Sequence, residues 1–167
     1  NSVNAFVLGF GEDYNTRTFT WQSKIMPEGF VKYKKVGESN YKSVKATTSF
    51  IQHPDCSVSK HSAIVKNLEE GIYEYQVGAE GYWSDIETFE VKNYNTADGD
   101  EINILWLSDE QSWTEAEMQT FKNVFDKIIN EWEIDELGNP TFDWILETGD
   151  ISQNGRRRPE YQMYFNS

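Results

Sequence analysis

Histidine and cysteine are nearly missing from this 167-residue chain, which has one Cys and two His. A single thiol, Cys56, excludes an internal disulfide, says little about compartment, and reads as a passive loop or core residue. Both imidazoles, His53 and His61, fall in the first half of the chain, where a surface or cross-strand place suits them better than a ligand role. No apolar run is long enough to span a bilayer. No signal peptide is visible and no Asn-x-Ser/Thr site occurs, which leans away from a eukaryotic secreted protein. The first residue is Asn1 rather than Met, so the sequence reads as trimmed or processed, and a secreted or cell-surface location stays open. Basic residues are scarce, with 15 Lys+Arg against 28 Asp+Glu and a net charge of −13, so nucleic acid is an unsuitable partner.

What is present is a folded protein's composition, 38% hydrophobic and 15% aromatic. The acidity is lopsided. Residues 1–95 carry 10 Lys+Arg and 12 Asp+Glu, a balance of −2, whereas residues 96–167 carry 5 and 16, a balance of −11. That asymmetry suggests two units, and the second would attract cations. A solvated acidic surface accounts for the run equally well.

Residues 1–94 read as short strands between turns: Asn4–Phe10, Arg17–Ser23, Gly29–Val36, Tyr41–Ile51, His61–Leu68, Ile72–Gly78 and Ser84–Lys92. In Thr18-Phe19-Thr20-Trp21 and Phe30-Val31-Lys32-Tyr33-Lys34 every second residue is large and apolar, as in a half-buried strand. Seven such strands predict an all-β sandwich. Residues 95–100 form a polar linker. Beyond it, over 101–167, the pattern changes to strand Ile102–Leu107, helix Glu115–Trp132 and strand Phe142–Glu147, which implies a parallel pair. Thr114 and Glu117 form a candidate capping box, and Met118, Phe121, Phe125, Ile128, Ile129 and Trp132 make one apolar stripe expected to be core.

Asp109 and Asp150 each lie just past the carboxyl end of one of these strands, where open α/β sheets place ligands. Two carboxylates that close repel unless a cation or a shared proton intervenes. Gln111 could add an amide oxygen, and oxygen donors suit a hard or borderline metal ion. Capping of loops or helix ends is the plainer alternative for both aspartates.

The segments Ile102–Gln111 and Trp144–Gly155, with Leu146-Glu147-Thr148-Gly149-Asp150 at their centre, resemble the first two motifs of the calcineurin-like metallophosphoesterases. His61–Leu68, Gly71–Gly78, Trp83-Ser84 and Phe89 resemble the fibronectin type III-like domain that precedes the catalytic domain in purple acid phosphatases. Tyr73 fits a tyrosine-corner position of such a domain. The resemblance implies an immunoglobulin or fibronectin III-like sandwich followed by the first β-α-β unit of an α/β metallophosphoesterase domain. It implies Asp109 and Gln111 as ligands of one metal and Asp150 as the bridge between two, the metals being Fe, Mn or Zn. Asn154, Arg156 and Arg157 are candidate contacts to a phosphate-ester substrate. The family's Gly-Asn-His segment and later histidines are absent from this sequence. The expectation is therefore an N-terminal, truncated portion of a phosphoester hydrolase that uses a metal-activated water, inactive alone, and completed by the remainder of its catalytic domain or by a partner chain. The alternative is a non-catalytic binding or structural module in a larger assembly. A glycosidase would use the same carboxylates, but nothing else in the sequence favours one.

Overall fold

The computed structural model describes residues 3–52, 56–152 and 158–165. The chain divides into two compact units between Asn93 and Tyr94.

The first unit holds nine strands: β1 (Val3–Phe10), β2 (Arg17–Ser23), β3 (Phe30–Lys35), β4 (Lys42–Lys45), β5 (Thr47–Gln52), β6 (Ser57–Val65), β7 (Gly71–Ala79), β8 (Tyr82–Trp83) and β9 (Glu87–Val91). One sheet runs β1-β2-β6-β5, the other β4-β3-β7-β8 with β9 also paired to β7. All pairs are antiparallel. The alternation read from the sequence is what buries the core. Along β2 every second residue (Arg17, Phe19, Trp21, Ser23) is buried, because successive side chains leave opposite faces of a strand. Phe19, Trp21, Ala63 and Val65 from one sheet share a single core with Val31, Tyr73, Tyr75, Val77, Phe89 and Val91 from the other. Its rings interlock: Phe19 meets Tyr75 edge-on at 5.3 Å between centroids, and Tyr73 stacks on Phe89 at 5.3 Å. Each such side chain contributes about 1.5–3 kcal/mol through burial.

Two expectations need correction. The stretch Tyr41–Ile51 is two strands, not one: β4 pairs with β3 and β5 with β6, in different sheets. Ala46 is the crossing point, buried, with its N–H donating to Gly29 O at 2.8 Å. A continuous polar-apolar run cannot announce a change of sheet, because both halves keep the same period. The final strand is shorter than Ser84–Lys92: β9 covers Glu87–Val91 only, and the two-residue β8 (Tyr82–Trp83) precedes that stretch.

Several polar groups inside this core are paired. The Arg17 guanidinium, buried, donates to the carbonyls of Tyr14, Thr16 and Glu90 at 2.8–3.1 Å. The Tyr73 hydroxyl accepts from Glu69 N–H and donates to Glu69 O, both at 3.0 Å, the corner expected from its position. His61 is fully buried, stacks on Trp21 at 5.0 Å, and sits opposite Trp21 and Thr48 in the ladder. Ser23 Oγ donates to Lys24 O, so it accepts from His61 Nε2–H at 2.9 Å; burial disfavours the charged ring, which leaves Nδ1 to accept from Thr48 Oγ1 at 2.9 Å. That is the pattern of a neutral imidazole. His53 lies outside the described residues.

In the second unit the expected linker residues form a local turn. A 3-10 turn spans Thr96–Asp98, and Asn95 N–H donates to Asp100 Oδ2 at 2.8 Å. Strand β10 (Ile104–Leu107) pairs in parallel with β11 (Trp144–Glu147). Between them runs α1 (Glu115–Lys127), continued by a π turn over Ile128–Trp132. Its start is the capping box read from the sequence: Glu117 N–H donates to Thr114 Oγ1, and Glu117 Oε2 accepts from Thr114 N–H. Helix α2 spans Arg158–Phe165, and its Tyr164 stacks on Phe121 of α1 at 5.9 Å. The apolar stripe of α1 is less buried than expected. Only Met118 is fully buried, and Trp132 is 61% exposed. Two strands present too narrow a surface to cover so long a stripe.

Two outcomes follow from the first unit. Tyr73→Phe removes a hydroxyl that serves both backbone groups of Glu69 and should cost about 1–2 kcal/mol, read as a lower urea midpoint at unchanged m-value. Burial lowers the pKa of His61, whereas the unfolded chain protonates it near pH 6.5. Between those two values the unfolded state holds more protons, so stability falls as pH drops below about 6.5, by at most ~1.4 kcal/mol per pH unit. Urea melts at pH 7.0 and 5.5 should show this loss in the wild type and a smaller one in His61→Gln; equal losses would assign the proton uptake to other groups.

Candidate metal centre

The site begins with strand register. In the parallel pair Leu107 lies opposite Glu147, so both strands end abreast and their turns leave side by side. The ladder continues past the strands: Thr148 N–H donates to Leu107 O at 3.2 Å and Asp109 N–H to Gly149 O at 3.1 Å. Trp106 Nε1–H donates to Thr148 Oγ1 at 2.8 Å, tying the first strand to the second turn. Asp109 and Asp150 both adopt left-handed backbone, with φ of +64° and +58°, a conformation that Asp tolerates better than most residues. Gly149 before Asp150 has φ of +128°, open almost only to glycine.

The structure therefore brings the turns of Asp109, Gln111 and Asp150 together. With its amide nitrogen facing the two carbonyls, Gln111 donates to Asp150 O at 2.7 Å and to Asp109 O at 3.1 Å. Both aspartates are exposed and Gln111 is half-buried. Asn154, Arg156 and Arg157 lie outside the described residues.

Beneath these turns is a network that the sequence did not disclose. Glu110 is buried, between the exposed Asp109 and the half-buried Gln111. Burial first, then its hydrogen bond to Glu147 and the charges of Glu147 and Asp109, push its carboxyl up to about 7. Glu147 in turn accepts from Gly149 N–H at 2.8 Å and from the Tyr164 hydroxyl at 3.4 Å. Burial and the two glutamates push Tyr164 up to about 12. The available signal was Glu147, a carboxylate closing an otherwise apolar strand. Glu110 is indistinguishable in sequence from the acidic residues around it. Beside the first turn, an open cavity of about 540 Å³ is lined by Trp106, Asp109, Glu110 and Gln111 together with Phe121 and Phe125 of α1.

The donor chemistry here fits a hard or borderline cation in kind, since carboxylate oxygens are its usual ligands. It does not fit in number. Among the described residues no group of three or more His, Cys, Asp or Glu side chains is placed to hold a metal ion. The two aspartates alone do not make a coordination shell.

A model of the family described as "Purple acid Phosphatase, N-terminal domain" matches residues 3–91. No curated protein matches the chain. Among solved structures, the purple acid phosphatase PPD1 from yellow lupin (Lupinus luteus) seeds aligns over 91% of this chain with a TM-score of 0.63 and 17% sequence identity. The chain spans 30% of the length of that protein.

Gly149→Ala tests how far the second turn depends on its backbone. A Cβ there meets nothing within 4 Å, so any cost is torsional and not steric. It should be about 1–3 kcal/mol, seen as faster amide exchange at Thr148 and Asp109; unchanged exchange would show that the turn relaxes freely.

Proposed function

Because the chain belongs to the purple acid phosphatase N-terminal domain family through residues 3–91, we propose that its parent protein is a metal-dependent phosphoester hydrolase. In this reading the first unit is a fibronectin III-like partner domain. Residues 101–167 carry the opening β-α-β unit of the metallophosphoesterase domain. The observation that supports it is the pairing of two strand-end turns, Asp109 linked to Gly149 at 3.1 Å and Gln111 to Asp150 at 2.7 Å.

The carboxylates of Asp109 and Asp150, with Gln111 beside them, would hold one side of a pair of metal ions, Fe, Mn or Zn. When bound, such ions lower the pKa of water and neutralise charge building on a phosphate. The chain's own part is to set the two carboxylates at adjacent strand ends and to keep the turns in register. Its strongly acidic second half favours cations over free phosphate until metals are in place. The remaining donors, and the walls that would choose among phosphate esters, belong in this reading to other segments of the parent protein or to a partner chain. Asn154, Arg156 and Arg157 are proposed to meet the substrate's phosphate by charge-assisted hydrogen bonds.

One observation favours a second reading: among the described residues no group of three or more His, Cys, Asp or Glu side chains is placed to hold a metal ion, which a non-catalytic remnant would share. Calorimetry with manganese, zinc and iron on the full-length parent separates the two. Stoichiometric binding, lost in Asp150→Asn together with turnover of a generic phosphate ester, is the expected result. A parent that binds no metal, or an Asp150→Asn variant with unchanged turnover, would leave only the structural module.

A further inference from the structure

Gln111 stands where the resemblance expects a metal ligand, yet its hydrogen bonds describe a different task. Its amide NH2 has two donors, and two backbone carbonyls face it, Asp150 O at 2.7 Å and Asp109 O at 3.1 Å. Those carbonyls belong to the two residues held in left-handed backbone, φ +58° and +64°. A non-glycine residue there is strained and persists only where its surroundings fix it. The two carbonyls converge on the Gln111 amide, and acceptors brought to one place need a donor between them. The main chain contributes Asp109 N–H to Gly149 O at 3.1 Å, which ties the turns on one side. The Gln111 nitrogen ties them on the other.

We propose that Gln111 acts through its amide nitrogen as a clamp, locking the Asp109 and Asp150 turns together before any metal arrives. This rests on reading those turns as one site, and it assigns Gln111 a role that an oxygen ligand at the same position would not need. The distinction is chemical. A ligand works through an oxygen, so a carboxylate in its place would serve at least as well. A clamp works through N–H donors, so a carboxylate would place a third acceptor against two carbonyls, while an ammonium would keep the donors and lose the oxygen.

Backbone hydrogen exchange on the full 167-residue chain, free of metal, reads this directly. In Gln111→Glu the amides of Asp109 and Thr148, which close the ladder between the turns, should exchange about tenfold faster, the loss of one to two hydrogen bonds. In Gln111→Lys they should stay within about threefold of wild type. Unchanged amides in the core of the first unit, such as Phe19 and Val65, certify that each variant is folded. The clamp is overturned if Gln111→Glu exchanges like wild type, or if Gln111→Lys is as fast as Gln111→Glu. Because exchange is measured without metal, its outcome does not depend on whether the parent protein hydrolyses phosphate esters.

Discussion

Everything at the candidate metal centre depends on the register of one parallel pairing. Leu107 and Glu147 end their strands opposite one another, and a shift of one residue would do two things at once. It would turn every side chain of one strand to the other face, and it would separate the turns by about 3.3 Å. Asp109 N–H would then miss Gly149 O, and Gln111 could no longer reach both carbonyls. The pairing is only four residues long. Its register is reinforced by contacts outside the ladder: Trp106 to Thr148, Asn103 N–H to Asp143 Oδ2 at 2.9 Å, and Asp143 N–H to Asn103 O at 2.8 Å. The two strands are pinned at both ends by polar bonds.

The carboxylates about the turns meet two different environments. Asp109 and Asp150 are exposed, so water screens their mutual repulsion and neither bears the desolvation of a buried charge. Glu110, which is buried, meets the same problem differently. Burial and Glu147 raise its proton affinity, so that it is neutral over a wide range where free carboxylates are ionised. Glu147 remains the acceptor of both Gly149 N–H and the Tyr164 hydroxyl. Of the four carboxylates about the turns, Asp109 and Asp150 stand in water, Glu147 accepts hydrogen bonds, and Glu110 holds its proton to a higher pH than a free carboxylate does. A cation would act on the exposed two.

Legibility in the sequence followed the range of the interaction. The alternation of β2, the capping box at Thr114 and Glu117, and the corner made by Tyr73 with Glu69 are local in sequence, and each is visible in the residues alone. The parallel pair was readable because strand, helix, strand leaves few topologies. What escaped was non-local. The division of Tyr41–Ile51 between two sheets depends on partners in β3 and β6, and nothing within the run marks Ala46 as the crossing. Glu110 meets Glu147 and Tyr164 only because the chain folds back on itself, since both stand far downstream of it. The work of Gln111 was hidden for the same reason: its spacing from Asp109 suggested a side-chain oxygen beside a carboxylate, whereas its nitrogen is taken by main-chain oxygens, one of them from a turn that the sequence places well beyond α1.

The two units differ in how far their apolar surface is satisfied, and this bears on what the second unit is for. In the first, Phe19, Trp21 and Val31 are completely buried and twelve buried residues form one cluster. In the second, Met118 is the buried hydrophobic residue among those described, while Ile104, Trp106, Ile145 and Leu146 are 46–69% exposed. Parallel strands are stable when both faces are covered, and exposed apolar area on that scale is ordinarily a binding surface. A metal centre at the carboxyl ends of such strands takes its remaining ligands from whatever segments cover and extend the sheet, since those are what bring further strand ends and loops to the same edge. In the proposed reading, further strands for the sheet and further donors for a cation are therefore one requirement. On that reading, a further strand pairing in parallel beside β10 or β11 would deliver its own carboxyl end near Asp109 and Asp150, so that extending the sheet and adding donors for a cation would be the same event.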